Sequence, residues 1–104
     1  MARFLFAYHG GATPRTPEEG EKAMAAWGVW FGKIGDALVD PGNPVGQSHT
    51  VSSAGTVANG GANPVSGYSV LTAADIDAAK AIAAECPMVL DGSGSVEVAE
   101  IVEM

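Results

Sequence analysis

Apolar residues recur with two different periods along this chain, and the change from one to the other marks out its elements. Residues 3–9 (RFLFAYH) alternate: Phe4, Phe6 and Tyr8 fall on one face, Leu5 and Ala7 on the other. Both faces carry apolar side chains, which predicts a central strand covered on two sides. Residues 16–35 (TPEEGEKAMAAWGVWFGKIG) switch to the helical period, with Ala23, Trp27, Trp30, Phe31 and Ile34 three and four apart. Thr16 suits the N-cap, Pro17 the first turn, and Glu19 completes a Thr-x-x-Glu capping box. Glu18, Glu19 and Glu21 lie near the positive end of the helix dipole and Lys33 near the negative end, with Gly35 as the stop. Gly20, Gly28 and Gly32 each cost about 1 kcal/mol relative to Ala. Gly28 and Gly32 form a smooth strip, which predicts a backbone approaching closely and a helix pressed against a sheet.

The remaining pattern is shorter in wavelength. Residues 36–40 (DALVD) read as a strand stopped by the turn formers of 41–44 (PGNP). Residues 47–58 predict a peripheral hairpin turning at 53–55, and 59–64 (NGGANP) a loop. Residues 67–71 (GYSVL) form the next strand, with Tyr68 and Val70 on one face. Residues 72–75 (TAAD) open a second helix, whose Ile76, Ala79, Ala83 and Cys86 share a face and which Pro87 ends. After a loop at 91–95, residues 96–103 form the last strand. There Val96, Val98 and Val102 share a face with Glu100, and Ala99 and Ile101 lie opposite. The order is the βαββαβ pattern of a ferredoxin-like α+β domain with an extra hairpin, one domain over 1–104. Two helices cover only one face of such a sheet. The apolar residues on the other face predict a homodimer, a second copy supplying the cover.

Composition sharpens this reading. Of 104 residues, 47% are apolar and only 16% charged, so a monomer this small exposes much apolar surface. The net charge of −7 and the scatter of Arg3, Arg15, Lys22, Lys33 and Lys80 exclude nucleic acid and anionic membrane as partners. A single cysteine, Cys86, rules out an internal disulfide and fits a reducing compartment. The apolar run at 4–8 is too short for a signal-peptide core or a membrane span, so the cytoplasm is the expected location.

The opening strand, the Trp-containing helix, the short strand before a Gly/Pro turn, the Gly-Tyr-Ser-Val-Leu strand and the closing Val-Glu-Val-Ala-Glu-Ile together resemble the YCII-related proteins. The likeness spans nearly the whole chain and is one of layout. It implies the dimeric α+β barrel architecture, with clefts between sheet and helices that suit small apolar or aromatic ligands. Many relatives carry Asp-Gly-Pro-Phe before the penultimate strand, where this chain has Asn59-Gly60-Gly61-Ala62-Asn63-Pro64. Others pair a His in the first helix with a later Asp. Residues 16–35 hold no His, so that dyad does not carry over.

Candidate chemistry is sparse. His9, ending the first strand beside Gly10 and Gly11, is the candidate general acid/base; a histidine that bonds nearby backbone and ends the strand is the alternative. His49 sits in a polar hairpin and reads as exposed. A metal site would need both histidines to converge with Asp40, and no metal-ligand spacing supports one. Trp27 and Trp30 diverge by about 60° at the helix pitch, so one lies at the edge of the packed face and can line a pocket. Tyr8, Asp40 and Tyr68 are further ligand-binding candidates. Cys86, before Pro87 at a helix C-terminus, is a poor nucleophile. The function this supports is either cofactor-free proton-transfer chemistry on a small molecule, or a non-catalytic module that binds a small molecule or a protein.

Overall fold

The computed structural model describes residues 1–11 and 13–104. Four antiparallel strands form one sheet in the order β2-β5-β1-β6: β2 (Leu38–Asp40), β5 (Val65–Ala73), β1 (Ala2–Gly10) and β6 (Gly94–Glu100). Three helices lie on one side: α1 (Pro17–Ile34), α2 (Ile76–Ala83) and the four-residue α3 (Pro87–Leu90). A separate hairpin, β3 (Thr50–Ser52) with β4 (Gly55–Val57), is exposed throughout. The architecture is α+β and compatible with a ferredoxin-like arrangement. Its thinnest dimension, 20 Å, is that of two layers, sheet and helices.

Period two in β1 translates directly into the layers. Phe4, Phe6 and Tyr8 are buried on the helix side, and the register Phe4↔Leu71, Phe6↔Ser69, Tyr8↔Gly67 aligns them with the buried positions of β5. Phe6 and Trp30 stack with centroids 6.3 Å apart, and Trp27 meets Tyr8 edge-on at 5.0 Å. The helix thus descends β1 one ring at a time. Ala23, one turn before Trp27 and expected on the packed face, is exposed. Trp30 also donates its indole N–H to the carbonyl of Ile82 at 3.1 Å, tying α1 to the end of α2.

The N-terminus of α1 follows its code. Thr16 Oγ1 accepts from the Glu19 N–H, and the Glu19 carboxylate reaches back to the N–H of Arg15. Elsewhere local physics moves the boundaries. Residues 35–37 of the expected second strand form a 3-10 turn, since the Gly35 N–H still bonds Phe31 and the Leu38 N–H bonds Gly35 before the chain extends. The cap of α2 is Asp75, whose side chain accepts from Ala78 N, while Thr72 and Ala73 stay in β5 paired with β1. Ile76 consequently sits on the first turn and is 42% exposed, against its expected place on the buried face. The second helix stops at Ala83, earlier than expected, so Pro87 does not end it: Cys86 lies beyond α2 as the N-cap of α3, and Pro87 is the first residue of α3. The last strand ends at Glu100, so Val102 falls outside it and is exposed. The first strand runs on to Gly10, one residue beyond the expected end at His9, and Ala12 lies outside the described residues.

The strip of Gly28 and Gly32 has no backbone against it: a Cβ at either would meet nothing within 4 Å. The helix packs through its aromatic face instead. The other face of the sheet carries Leu5, Ala7, Val39, Tyr68, Val70 and Ala99, and among the described residues no second layer covers it. Leu5 is 37% and Val39 49% exposed.

Candidate functional site

The pleat sends the sequence-predicted site residues to opposite sides of the sheet. Tyr8, Trp27 and Trp30 come together on the helix side; His9 and Tyr68 lie on the open side. The acid/base histidine and the aromatic residues expected to shape its pocket are therefore not in one place. Adjacent residues of a strand cannot share a face.

On the helix side the aromatic residues form a packed cluster, with Trp30 buried and Trp27 at its half-exposed edge. Tyr8 ends a buried chain of hydrogen bonds: its hydroxyl donates to Ser69 Oγ at 2.8 Å, and Ser69 donates to the carbonyl of Pro41 at 2.7 Å. Burial pushes the Tyr8 phenol up to about 12, although the bond to Ser69 works the other way. Cys86 is fully buried, and burial pushes its thiol up as well. Neither group is available as a nucleophile or base near neutrality. The open space on this side is a groove of about 530 Å³ between α1 and α3, with Val29, Trp30, Pro87 and Leu90 among its lining and Lys33 and Asp91 beside them.

On the open side His9 is held at both ring nitrogens. Nδ1 donates to the carbonyls of Asn63 at 3.0 Å and Pro64 at 3.2 Å, and Nε2 lies 2.9 Å from Glu97 Oε1. The side chain is 11% exposed, that of Glu97 70%. With Nδ1 committed to donating, the Nε2–Glu97 contact is a hydrogen bond only when a further proton sits on one of the two. A bulge brings these partners together. Between Tyr8 and His9 the register of β5 slips by one residue, so His9 faces Val65 and the preceding carbonyls reach its ring. Glu97 sits across β6, opposite Ala7. The sequence reading missed Glu97, since a lone acid 88 residues away carries no local signal. The alternation of 96–103 could have placed it on the open face.

Asp40 does not partner a histidine. Its carboxylate accepts from the Gly42 N–H at 2.8 Å, closing the turn before residues 43–44 return to β5. Gly42 has φ +68°, and a Cβ there would lie 1.8 Å from the Tyr68 carbonyl oxygen. No other residue fits. His49 is exposed, and among the described residues no cluster of His, Cys, Asp or Glu could hold a metal ion. Among the described residues no helix is long and apolar enough to cross a membrane.

A second cavity, of about 550 Å³, opens at the His9 end of the sheet between Gly10, Gly11 and the segments 45–48 and 59–66. The carbonyls that His9 holds belong to its wall. Comparison with known proteins returns no matching family model, no matching curated protein and no matching solved structure.

Proposed function

We propose that this chain is a homodimeric, non-catalytic small-molecule-binding protein of the dimeric α+β barrel kind, similar to the YCII-related proteins. The observation that carries this reading is the open sheet face, where Leu5 and Val39 are exposed and Val70 is half-buried, with no second layer over them among the described residues. A patch of this kind on so small a domain is an association surface. A second copy is the occupant of choice because the face is self-complementary in charge. Arg3 lies at one end of its apolar centre and Glu97 at the other, so an antiparallel two-fold pairing sets opposite charges against each other. Binding rather than catalysis is favoured by the state of the ionisable groups: Tyr8 and Cys86 are buried in neutral form, and both nitrogens of His9 are already engaged.

Analytical ultracentrifugation tests the assembly. The expected result is a dimer for the native chain and a monomer for Val70→Glu, with the helical circular dichroism retained. A native chain that stays monomeric at high micromolar concentration removes this reading.

One observation favours the catalytic alternative. His9 Nε2 and the exposed Glu97 carboxylate lie 2.9 Å apart, a His–carboxylate pair able to move a proton. Equal turnover of an identified substrate by the native chain and His9→Gln would eliminate it.

A further inference from the structure

The geometry points to the cavity at the His9 end of the sheet as a binding site for an uncharged polyhydroxylated molecule of about monosaccharide size. This rests on the reading of the chain as a small-molecule-binding protein and names the ligand class and the place.

The cavity is built rather than incidental. Hydrogen bonds tie its two walls, 45–48 and 59–66, to each other and to neighbouring residues. Gln47 donates to the Ala58 carbonyl at 2.8 Å, Thr50 to the Asn59 carbonyl at 2.7 Å, and the Val45 N–H to the Ser66 carbonyl at 3.0 Å. Asn59 Oδ1 accepts from the Gly61 N–H at 3.0 Å, and His9 fixes the carbonyls of Asn63 and Pro64. At the contact between the walls, Gly60 packs so closely that a Cβ would lie 2.7 Å from Ser48 and 2.8 Å from Pro64. Walls held in this way lose little entropy when a ligand arrives.

The lining decides the chemistry. No side chain that lines the cavity is ionisable, so a charged ligand would be desolvated without a counter-charge. An anion is further opposed by the protein's net charge of −7. The polar lining consists of amides and hydroxyls: Gln47, Ser48, Asn59, Asn63 and Ser66. Each such residue carries donor and acceptor capacity together, which is also the property of an alcohol. Gly46 and Gly61, where a Cβ would meet nothing within 4 Å, leave backbone within reach of a small molecule. The volume, about 550 Å³, falls in the ordinary range for ligand cavities.

The test is a ¹H–¹⁵N titration of the full chain with glucose, sucrose and inositol, and with gluconate as the charged counterpart. Expected are saturable millimolar shifts with at least one neutral polyol at the amides of Gly46, Gly60, Gly61 and Ser66, and none there with gluconate. Gly46→Trp should weaken that binding at least tenfold while leaving the β1 and α1 amides in place, because a Cβ at Gly46 meets nothing within 4 Å. No saturable shift with any of the three polyols, shifts outside the cavity, or tighter binding of gluconate overturns the assignment. A monomer that still binds polyol at the cavity removes the homodimer and keeps the site. A dimer that binds none does the reverse.

Discussion

Phe6 and Leu5 are neighbours on β1, yet they belong to different surfaces. Phe6 is fully buried against Trp30, whereas Leu5 is 37% exposed on the open face. The helix side is held by ring stacking, the Trp30–Ile82 hydrogen bond and the Tyr8–Ser69–Pro41 chain, all within one copy of the protein. Among the described residues the open side has apolar groups without cover, and the His9–Glu97 pair at its end. The packing that holds one copy together thus lies on one face of the sheet, and the proposed association on the other. A one-residue step along the strand separates them.

The largest effect that tests this division is Phe6→Ala. It should lower unfolding free energy by about 3–5 kcal/mol, a large part of what a domain of this size holds. Leu5→Ala should cost no more than about 1 kcal/mol in dilute solution, with a larger penalty only as protein concentration rises into the range of association. Denaturant titrations at two protein concentrations read both. Equal penalties at low concentration would erase the distinction between the faces.

How much of this was legible in the sequence follows from how local each signal is. The cap at Thr16, the aromatic spacing of α1 and the alternation of β1 need only neighbours, and each appears in the fold. The hairpin at 47–58 was equally readable from its turn and its polarity. The start of α2 was displaced because Thr72 competes with Asp75, and pairing with Arg3 keeps Thr72 in the sheet. That is a tertiary effect on a local choice. The candidate site was less legible still. The parity of residues 8 and 9 already implied that Tyr8 and His9 point apart, but the partners of His9 stand 54 to 88 residues away. They reach it through a bulge that no spacing announces.

A smaller effect lies on the helix side and depends on pH. The unfolded Tyr8 phenol ionises near its ordinary 10 and the folded one at about 12, so between those values the unfolded chain has released a proton that the folded chain keeps. The stability linked to this group is full below pH 10 and is lost as the pH rises through 12. Its size is at most about 3 kcal/mol. Tyr8→Phe should flatten this alkaline limb while costing roughly 1 kcal/mol at neutral pH through the lost hydrogen bond to Ser69. An unchanged alkaline limb would mean that Tyr8 is wetter than its packing implies.

The smallest effect asks whether α1 presents a third surface. Gly28 and Gly32 lie within a regular helix, neither has a positive φ, and a Cβ at either would meet open space. Alanine at these positions restricts the unfolded chain without disturbing the folded one, so each substitution should stabilise by about 0.5–1 kcal/mol. Gly35→Ala is the contrasting control. Its site is equally open, but φ is +62°, and the same methyl should destabilise. Midpoints of chemical denaturation for the three variants separate space from backbone conformation. Stabilisation at 28 and 32 with loss at 35 leaves the helix's outer face as plain solvent-facing surface, and the sheet's open face as the place where a partner belongs. Loss at all three would mean that another backbone rests on the glycine strip. The sheet would then share the task of association with α1.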